Sequence, residues 1–238
     1  LWFSVPGAGV YAWREGQLQH FGERDGLSSL AVVSIFEDRD GAIWMGTDTA
    51  LTHRLRDDRL ETFGPQDGLP PGRVVSFAQD AAGRLWLGSN ANGLFLFEDG
   101  RFRNVGADEG LPTTLISSLF IDSRGALWIG TANRGLFRRR GDGYDHFGVR
   151  HGLPDPVIAL MLEDLDANLW VATSHGISRL ARNRVEGVAR GDLATLEPLV
   201  LGKADGLWSI EGSGGGFDPS GLRDRQGRLW FSTLDGIA

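Results

Sequence analysis

The chain has 238 residues, of which 41% are hydrophobic and 23% charged, with 35 glycines, no cysteine and a formal net charge of −7. That much apolar material excludes a disordered chain, and the acidic balance excludes nucleic acid as a partner, because a phosphate-binding surface needs clustered Lys and Arg. The missing cysteines exclude disulfides and thiolate metal sites without naming a compartment, and no stretch reads as a signal peptide or membrane span.

From the N-terminus, Trp2 opens a series that continues at Trp44, Trp86, Trp128 and Trp170, each 42 residues on, and ends at Trp230 after 60 more. A second landmark keeps the same phase: Asp25-Gly26-Leu27, Asp67-Gly68-Leu69, Glu109-Gly110-Leu111, His151-Gly152-Leu153 and Asp205-Gly206-Leu207. Two independent landmarks in one phase mark a structural repeat. The chain opens inside one copy at Leu1-Trp2-Phe3 and closes inside another at Leu229-Trp230-Phe231, so a piece of something longer is expected.

Residues 31–69 show the unit clearly. Ala31–Phe36 is a short apolar run suited to a buried strand. Glu37–Gly41 is a turn, in which Asp bonds amides two residues on and Gly accepts positive φ. Ile43–Thr47 is a second strand, with Trp44 and Gly46 on one face. Leu51–Leu55 is a third, and Asp57-Asp58-Arg59 turns it into a fourth, Leu60–Phe63. Four short antiparallel strands per 42 residues is the blade of a β-propeller. A helical solenoid fails because no i, i+3, i+4 stripe of useful length exists outside Val185–Leu196. The position two after each Trp is small (Ser4, Gly46, Gly88, Gly130, Ala172, Ser232), which lets neighbouring sheets interdigitate beside the indole.

The remaining elements follow in order. Residues 1–27 are expected as a partial blade, 31–69, 73–111, 115–153 and 157–207 as full blades, and 212–238 as a second partial blade supplying two strands. Both partial blades contain the Trp strand and cannot merge, so the expected fold is an all-β arc, four full blades plus two partial ones, of a larger ring. Arg138-Arg139-Arg140 is expected as the solvated end of a strand. The insertion across 181–200 is expected outside the sheets, as a loop or short helix.

The copies follow Asp-x-x-Gly-x-Leu/Ile-Trp-x-Gly-Thr/Ser, as at Asp80…Trp86-Leu87-Gly88-Ser89 and Asp122…Trp128-Ile129-Gly130-Thr131, and end in forms of Phe-Gly-x-x-Asp-Gly-Leu-Pro, complete at Phe63–Pro70. This pattern closely resembles the two-component regulator propeller repeats of bacterial sensor proteins. Ala167 and Ala172 depart from it in the fourth full unit. The resemblance implies a ligand-binding sensor segment outside the cytoplasm, followed in the whole protein by an immunoglobulin-like domain, a membrane helix and a histidine kinase or diguanylate cyclase output domain. It also implies a possible homodimer of the full-length sensor, no membrane contact by the segment itself, and no cofactor.

A residue present in every blade serves the blade. Asp38, Asp80, Asp122, Asp164 and Asp224 fall six before each Trp and are read as turn caps. Function is therefore sought where the repeat breaks, on the loops joining fourth to first and second to third strands, which leave one face of the ring. Asp48, Arg73, Asn90, Asn92, Asn133, Arg134, His175, Trp208 and Glu211 are the candidate ligand-binding residues, their Asn, Asp and Arg side chains suiting a polyhydroxylated ligand such as a sugar. Trp208 replaces the Pro found in three other copies. His20 and His146 hold equivalent positions in non-adjacent blades, and no metal cluster is expected. Two other readings are an enzyme with His175, Glu211 and Arg134 in a central funnel, and a protein-interaction scaffold.

Overall fold

The computed structural model describes residues 1–49, 51–112, 114–141, 143–207, 218–233 and 236–238. Its strands pair antiparallel in chain order into six sheets. Blade one holds β1 (Trp2–Val5), β2 (Gly9–Arg14) and β3 (Gln17–Phe21). Blade two holds β4 (Val32–Glu37), β5 (Ile43–Thr47), β6 (Thr52–Arg56) and β7 (Arg59–Phe63). Blade three holds β8 (Val74–Gln79), β9 (Leu85–Ser89), β10 (Gly93–Glu98) and β11 (Arg101–Asn104), with a one-turn helix α1 (Val105–Asp108) after it. Blade four holds β12 (Ile116–Ile121), β13 (Leu127–Thr131), β14 (Leu136–Arg140) and β15 (Gly143–Phe147). Blade five holds β16 (Leu160–Glu163), β17 (Leu169–Thr173), β18 (Gly176–Leu180), a helix α2 (Arg182–Arg190) and β19 (Leu199–Leu201). Blade six holds β20 (Gly221–Arg223), β21 (Leu229–Thr233) and β22 (Gly236–Ile237).

This architecture corrects the expected partial ring of four full and two partial blades. The protein is a six-bladed β-propeller, a full ring in which the first and last sheets, of three strands each, are blades in their own right. The last unit supplies three strands rather than two. The first strands β4, β8, β12, β16 and β20 contact one another in succession and so line the axis. Just ahead of blade six, Asp218 crosses to blades two and three. Its backbone bonds Val33 and Ile35, at 3.0 and 2.9 Å, and its carboxylate accepts from Ser76 Oγ at 2.9 Å. A 42-residue count cannot reveal this cross-axis contact, because it lies where the spacing stretches to 60.

Three of the six periodic tryptophans sit where the packing argument puts them. Trp44, Trp86 and Trp128 are 1–2% exposed, each among apolar residues of the following blade: Trp44 with Phe77 and Leu87, Trp86 with Ile116 and Ile129, Trp128 with Ile158 and Val171. The small residue two places on is required by that approach. A Cβ on Gly88 would lie 2.7 Å from Ile116 Cγ2, and one on Gly130 would lie 2.9 Å from Ile158 Cγ2. The other three are less covered: Trp2 and Trp170 are half-buried and Trp230 is 39% exposed.

Two further expectations are revised. Arg138 and Arg139 are not a solvated strand end: Arg138 is buried, bonded to Asp145 and Glu186 at 2.7 Å each, and lies over the Trp128 ring. Arg139 binds Glu109 at 2.5 Å and lies over Trp86. The insertion does form a short helix between the third and fourth strands, yet it is not merely appended. Val185 and Leu196 are buried in the cluster that holds Trp128 and Leu169.

Candidate functional site

The two faces of the ring differ in what their polar groups are doing. On one face, each repeated Asp is fully engaged. Asp122 Oδ1 accepts from the amides of Arg124 and Ala126 at 3.0 and 2.9 Å, and Oδ2 accepts from Trp128 Nε1 at 3.0 Å. The same indole bond recurs from Trp44 to Asp38, Trp86 to Asp80, Trp170 to Asp164 and Trp230 to Asp224, at 2.8–3.1 Å. The carboxylate thus caps the turn and also satisfies the indole N–H of a buried ring. Burial would raise the Asp80 and Asp164 carboxyls, but bonds from the indole and the turn hold both below the ordinary carboxylate range. The Asp-Gly-Leu turns, which open the fourth-to-first loops of the opposite face, are equally self-contained. Asp25, Asp67 and Asp205 each accept from the amide three residues back at 2.8–2.9 Å, and His151 Nδ1 takes the same role at 3.1 Å.

On the opposite face, fourth-to-first loops meet second-to-third loops within each blade. Asp48 accepts from Ser29 Oγ at 2.9 Å. Asn92 donates to the Pro71 carbonyl at 2.8 Å, and the Asn90 amide bonds the Arg73 carbonyl at 3.1 Å. A strand-four side chain pins the carbonyl twelve residues earlier in three blades: His20 on Ala8 at 2.6 Å, Asn104 on Asn92 at 2.9 Å, and His146 on Arg134 at 2.7 Å. The equivalence of His20 and His146 noted in the sequence is therefore a loop anchor. Blade two differs: His53 is buried, bonding Ser28 Oγ at 2.8 Å and Thr62 Oγ1 at 3.0 Å, and burial lowers its pKa to about 4.

Of the nominated residues, Asp48, Asn90, Asn133, Arg134 and His175 are exposed on these loops, and Arg73 and Asn92 are half-buried. They come from blades two to five and follow the rim. Asn92 works as a structural tie. Trp208 and Glu211 lie outside the described residues, so the trio of His175, Glu211 and Arg134 is not assembled here.

Sequence reasoning missed the most organised group on the rim. Asp155, 3% exposed, accepts from the Ser174 hydroxyl, from His175 Nδ1, and from the Val157 amide at 2.7 Å. Burial would raise its carboxyl, but these bonds, Ser174 foremost, hold it below the usual range. The His175 side chain is 67% exposed. Arg134 stands on the adjoining loop of blade four, whose Gly135 amide bonds the Pro156 carbonyl at 2.7 Å. Asp155 does break the repeat, but in sequence it reads as one more turn former before proline.

A cavity of about 780 Å³ lies elsewhere, between blades one and two beside the axis. It is lined by Trp2, Arg14, Val33, Ile35 and Asp218. Burial there pushes the Asp218 carboxyl up to about 6. On the rim, a hollow of about 390 Å³ sits between the loops of blades one and two, lined by Ala8, His20, Asp25 and Leu30. No group of three His, Cys, Asp or Glu residues able to hold a metal occurs among the described residues, and no described helix is long and apolar enough to cross a membrane.

Residues 26–49, 68–91 and 110–133 match the two component regulator propeller family. Among curated proteins, no relative matches in sequence. Among solved structures, the extracellular domain of a hybrid two component system from B. thetaiotaomicron aligns with 99% of the chain at 18% identity and a TM-score of 0.60. The extracellular domain of a one component system from the same organism aligns with 96% at 17% identity and 0.65. The chain spans 36% and 38% of these two proteins. Virginiamycin B lyase from Staphylococcus aureus aligns with 99% of the chain and 88% of its own length, at 13% identity and 0.67. At such identities these likenesses establish the fold alone.

Proposed function

We propose that the chain, three stretches of which match the two component regulator propeller family, is the ligand-sensing propeller of an extracytoplasmic signal-transduction protein. The observation that carries the placement of the ligand is the contrast between faces. The Asp-turn face spends its carboxylates on its own amides and indoles. The loop face displays side chains that do not repeat from blade to blade, Asn90, Asn133, Arg134 and His175, on backbones pinned by neighbouring loops. Rigid scaffolds that hold variable loops in this way are where binding residues concentrate. The amide, guanidinium and imidazole groups suit a polyhydroxylated ligand such as a sugar. A membrane anchor, an immunoglobulin-like domain and an output domain beyond this segment, with a homodimeric assembly, complete the proposal.

The test is calorimetric titration of the chain with a panel of neutral and acidic oligosaccharides. Asn133→Ala and Arg134→Ala should weaken binding at least tenfold, while Asp80→Asn, compared at equal folded fraction, should leave affinity unchanged. Binding that is lost only in the Asp-turn variant would reject the loop face. A second reading, an enzyme, is favoured by one observation, the Asp155–His175 pair with its exposed imidazole. Incubation with quinupristin, followed by chromatography, should leave that compound intact; its conversion would favour the enzyme.

A further inference from the structure

His175 is more than an exposed loop histidine, because three contacts fix what its ring can do. The Asp155 carboxylate takes up Nδ1, so Nδ1 carries a proton and Nε2 is the atom presented to solvent. Asp155 is itself fixed by the Ser174 hydroxyl and the Val157 amide, and those bonds keep it ionised. With Nδ1 so engaged, Nε2 is the ring atom that faces an incoming ligand. Ser174 donates to Asp155 and not to the imidazole, which rules it out as a nucleophile activated by His175.

Arg134 supplies a second donor. Its amide bonds Thr131 Oγ1 at 3.0 Å, its carbonyl meets His146 Nε2 at 2.7 Å, and the next amide bonds Pro156, the residue after Asp155. The backbone under Arg134 is thus held at both ends beside the Asp155 loop, and the guanidinium, on an exposed residue, is a planar fork matched to a carboxylate. A permanent cation on the adjoining loop disfavours a metal ion at the same place. We infer that His175, oriented by Asp155, and Arg134 form a carboxylate-recognising subsite on the rim of blades four and five. It takes an acidic sugar or another organic carboxylate. This rests on the sensing role proposed above and names the chemical class of its ligand.

The test uses the full chain and three probes: glucuronate, glucose and acetate. His side-chain ¹H–¹⁵N spectra and backbone amide shifts are followed during titration, with His175→Gln and Arg134→Gln in parallel. Glucuronate should move the His175 Nε2 signal, and each variant should weaken its binding at least tenfold with a native-like amide spectrum. Acetate binding as tightly as glucuronate assigns the subsite to carboxylates in general, and weaker acetate binding assigns it to acidic sugars. Glucose binding as well as glucuronate, or His175 signals unmoved at glucuronate saturation, overturns the inference. In that case glucose shifts at Asn90 or Asn133 leave the sensing role standing, whereas silence of every rim loop to the wider panel of oligosaccharides removes that role as well.

Discussion

Adding a single methyl group at Gly88 tests whether the blades are locked together as closely as the packing implies. Gly88 does not require a left-handed backbone, so Gly88→Ala adds no conformational strain and isolates the contact. The new Cβ would lie 2.7 Å from Ile116 Cγ2 and 3.4 Å from Leu119 Cγ. Ile116 is 0% exposed in the cluster that includes Trp86 and Ile129, and a β-branched side chain has no alternative rotamer to retreat into. Relief therefore requires blades three and four to part locally, at the cost of a small-to-large core substitution, about 1–3 kcal/mol. Gly46→Ala should cost more, since its Cβ would meet the Val74 carbonyl, which is backbone and cannot swing aside. Ala172 shows that the position accepts a methyl where the neighbouring strand allows it. Its reversal, Ala172→Gly, should instead lose about 1 kcal/mol of burial. Urea unfolding followed by tryptophan fluorescence measures all three. A cost below about 0.5 kcal/mol for both Gly88→Ala and Gly46→Ala would refute the tight interdigitation.

Truncating Trp86 to Ala should cost about 3–5 kcal/mol in the same assay, as for other buried aromatic side chains. Asp122→Ala removes two turn caps and the Trp128 acceptor and should cost about 2–4 kcal/mol, while Asp224→Ala, with the same bonds at an exposed turn, should cost clearly less. His53 is buried neutral: its folded pKa of about 4 lies below the ordinary 6.5, so the unfolded chain binds the extra proton between those values. Stability should accordingly be full above pH 6.5 and fall by about 3 kcal/mol as pH drops towards 4, and His53→Gln should flatten that slope in denaturant titrations. Asp218 has the opposite sign. Its folded pKa of about 6 exceeds 3.8, so its favourable contribution is present at low pH and lost as pH rises through 6. Asp218→Asn should therefore gain about 1–3 kcal/mol at pH 7, the lower end reflecting the residue's partial solvent contact, and nothing near pH 4.

The blade was legible because its rules are local and repeated. A Trp every 42 residues, a small residue two places on and an Asp six places before each leave a signal that survives substitution, and Ala172 and Trp230 still obey it. The constant spacing of six held one more fact, the bond from indole to carboxylate, which requires knowing that the turn folds the Asp back over the ring. Blade count and the engagement of the arginine run were not legible. The spacing stretches to 60 before blade six, where Asp218 reaches blades two and three, and Arg138 is drawn inward by Glu186, 48 residues away on the helix of blade five. The candidate loops were found as the places where the repeat fails, but Asp155 was not, because only the approach of His175 and Ser174 distinguishes it from a turn residue.

The central claim, that a ligand is read by the loop face and not by the repeated turns, is tested most directly by amide hydrogen exchange across the whole chain. The comparison is with and without whichever oligosaccharide binds tightest in the panel. Protection should appear in 89–92, 131–135, 153–157 and 173–176, with exchange unchanged at 38–41, 80–83 and 122–125. Protection confined to those Asp turns, or to Trp2, Ile35 and Asp218 around the cavity between blades one and two, would contradict it.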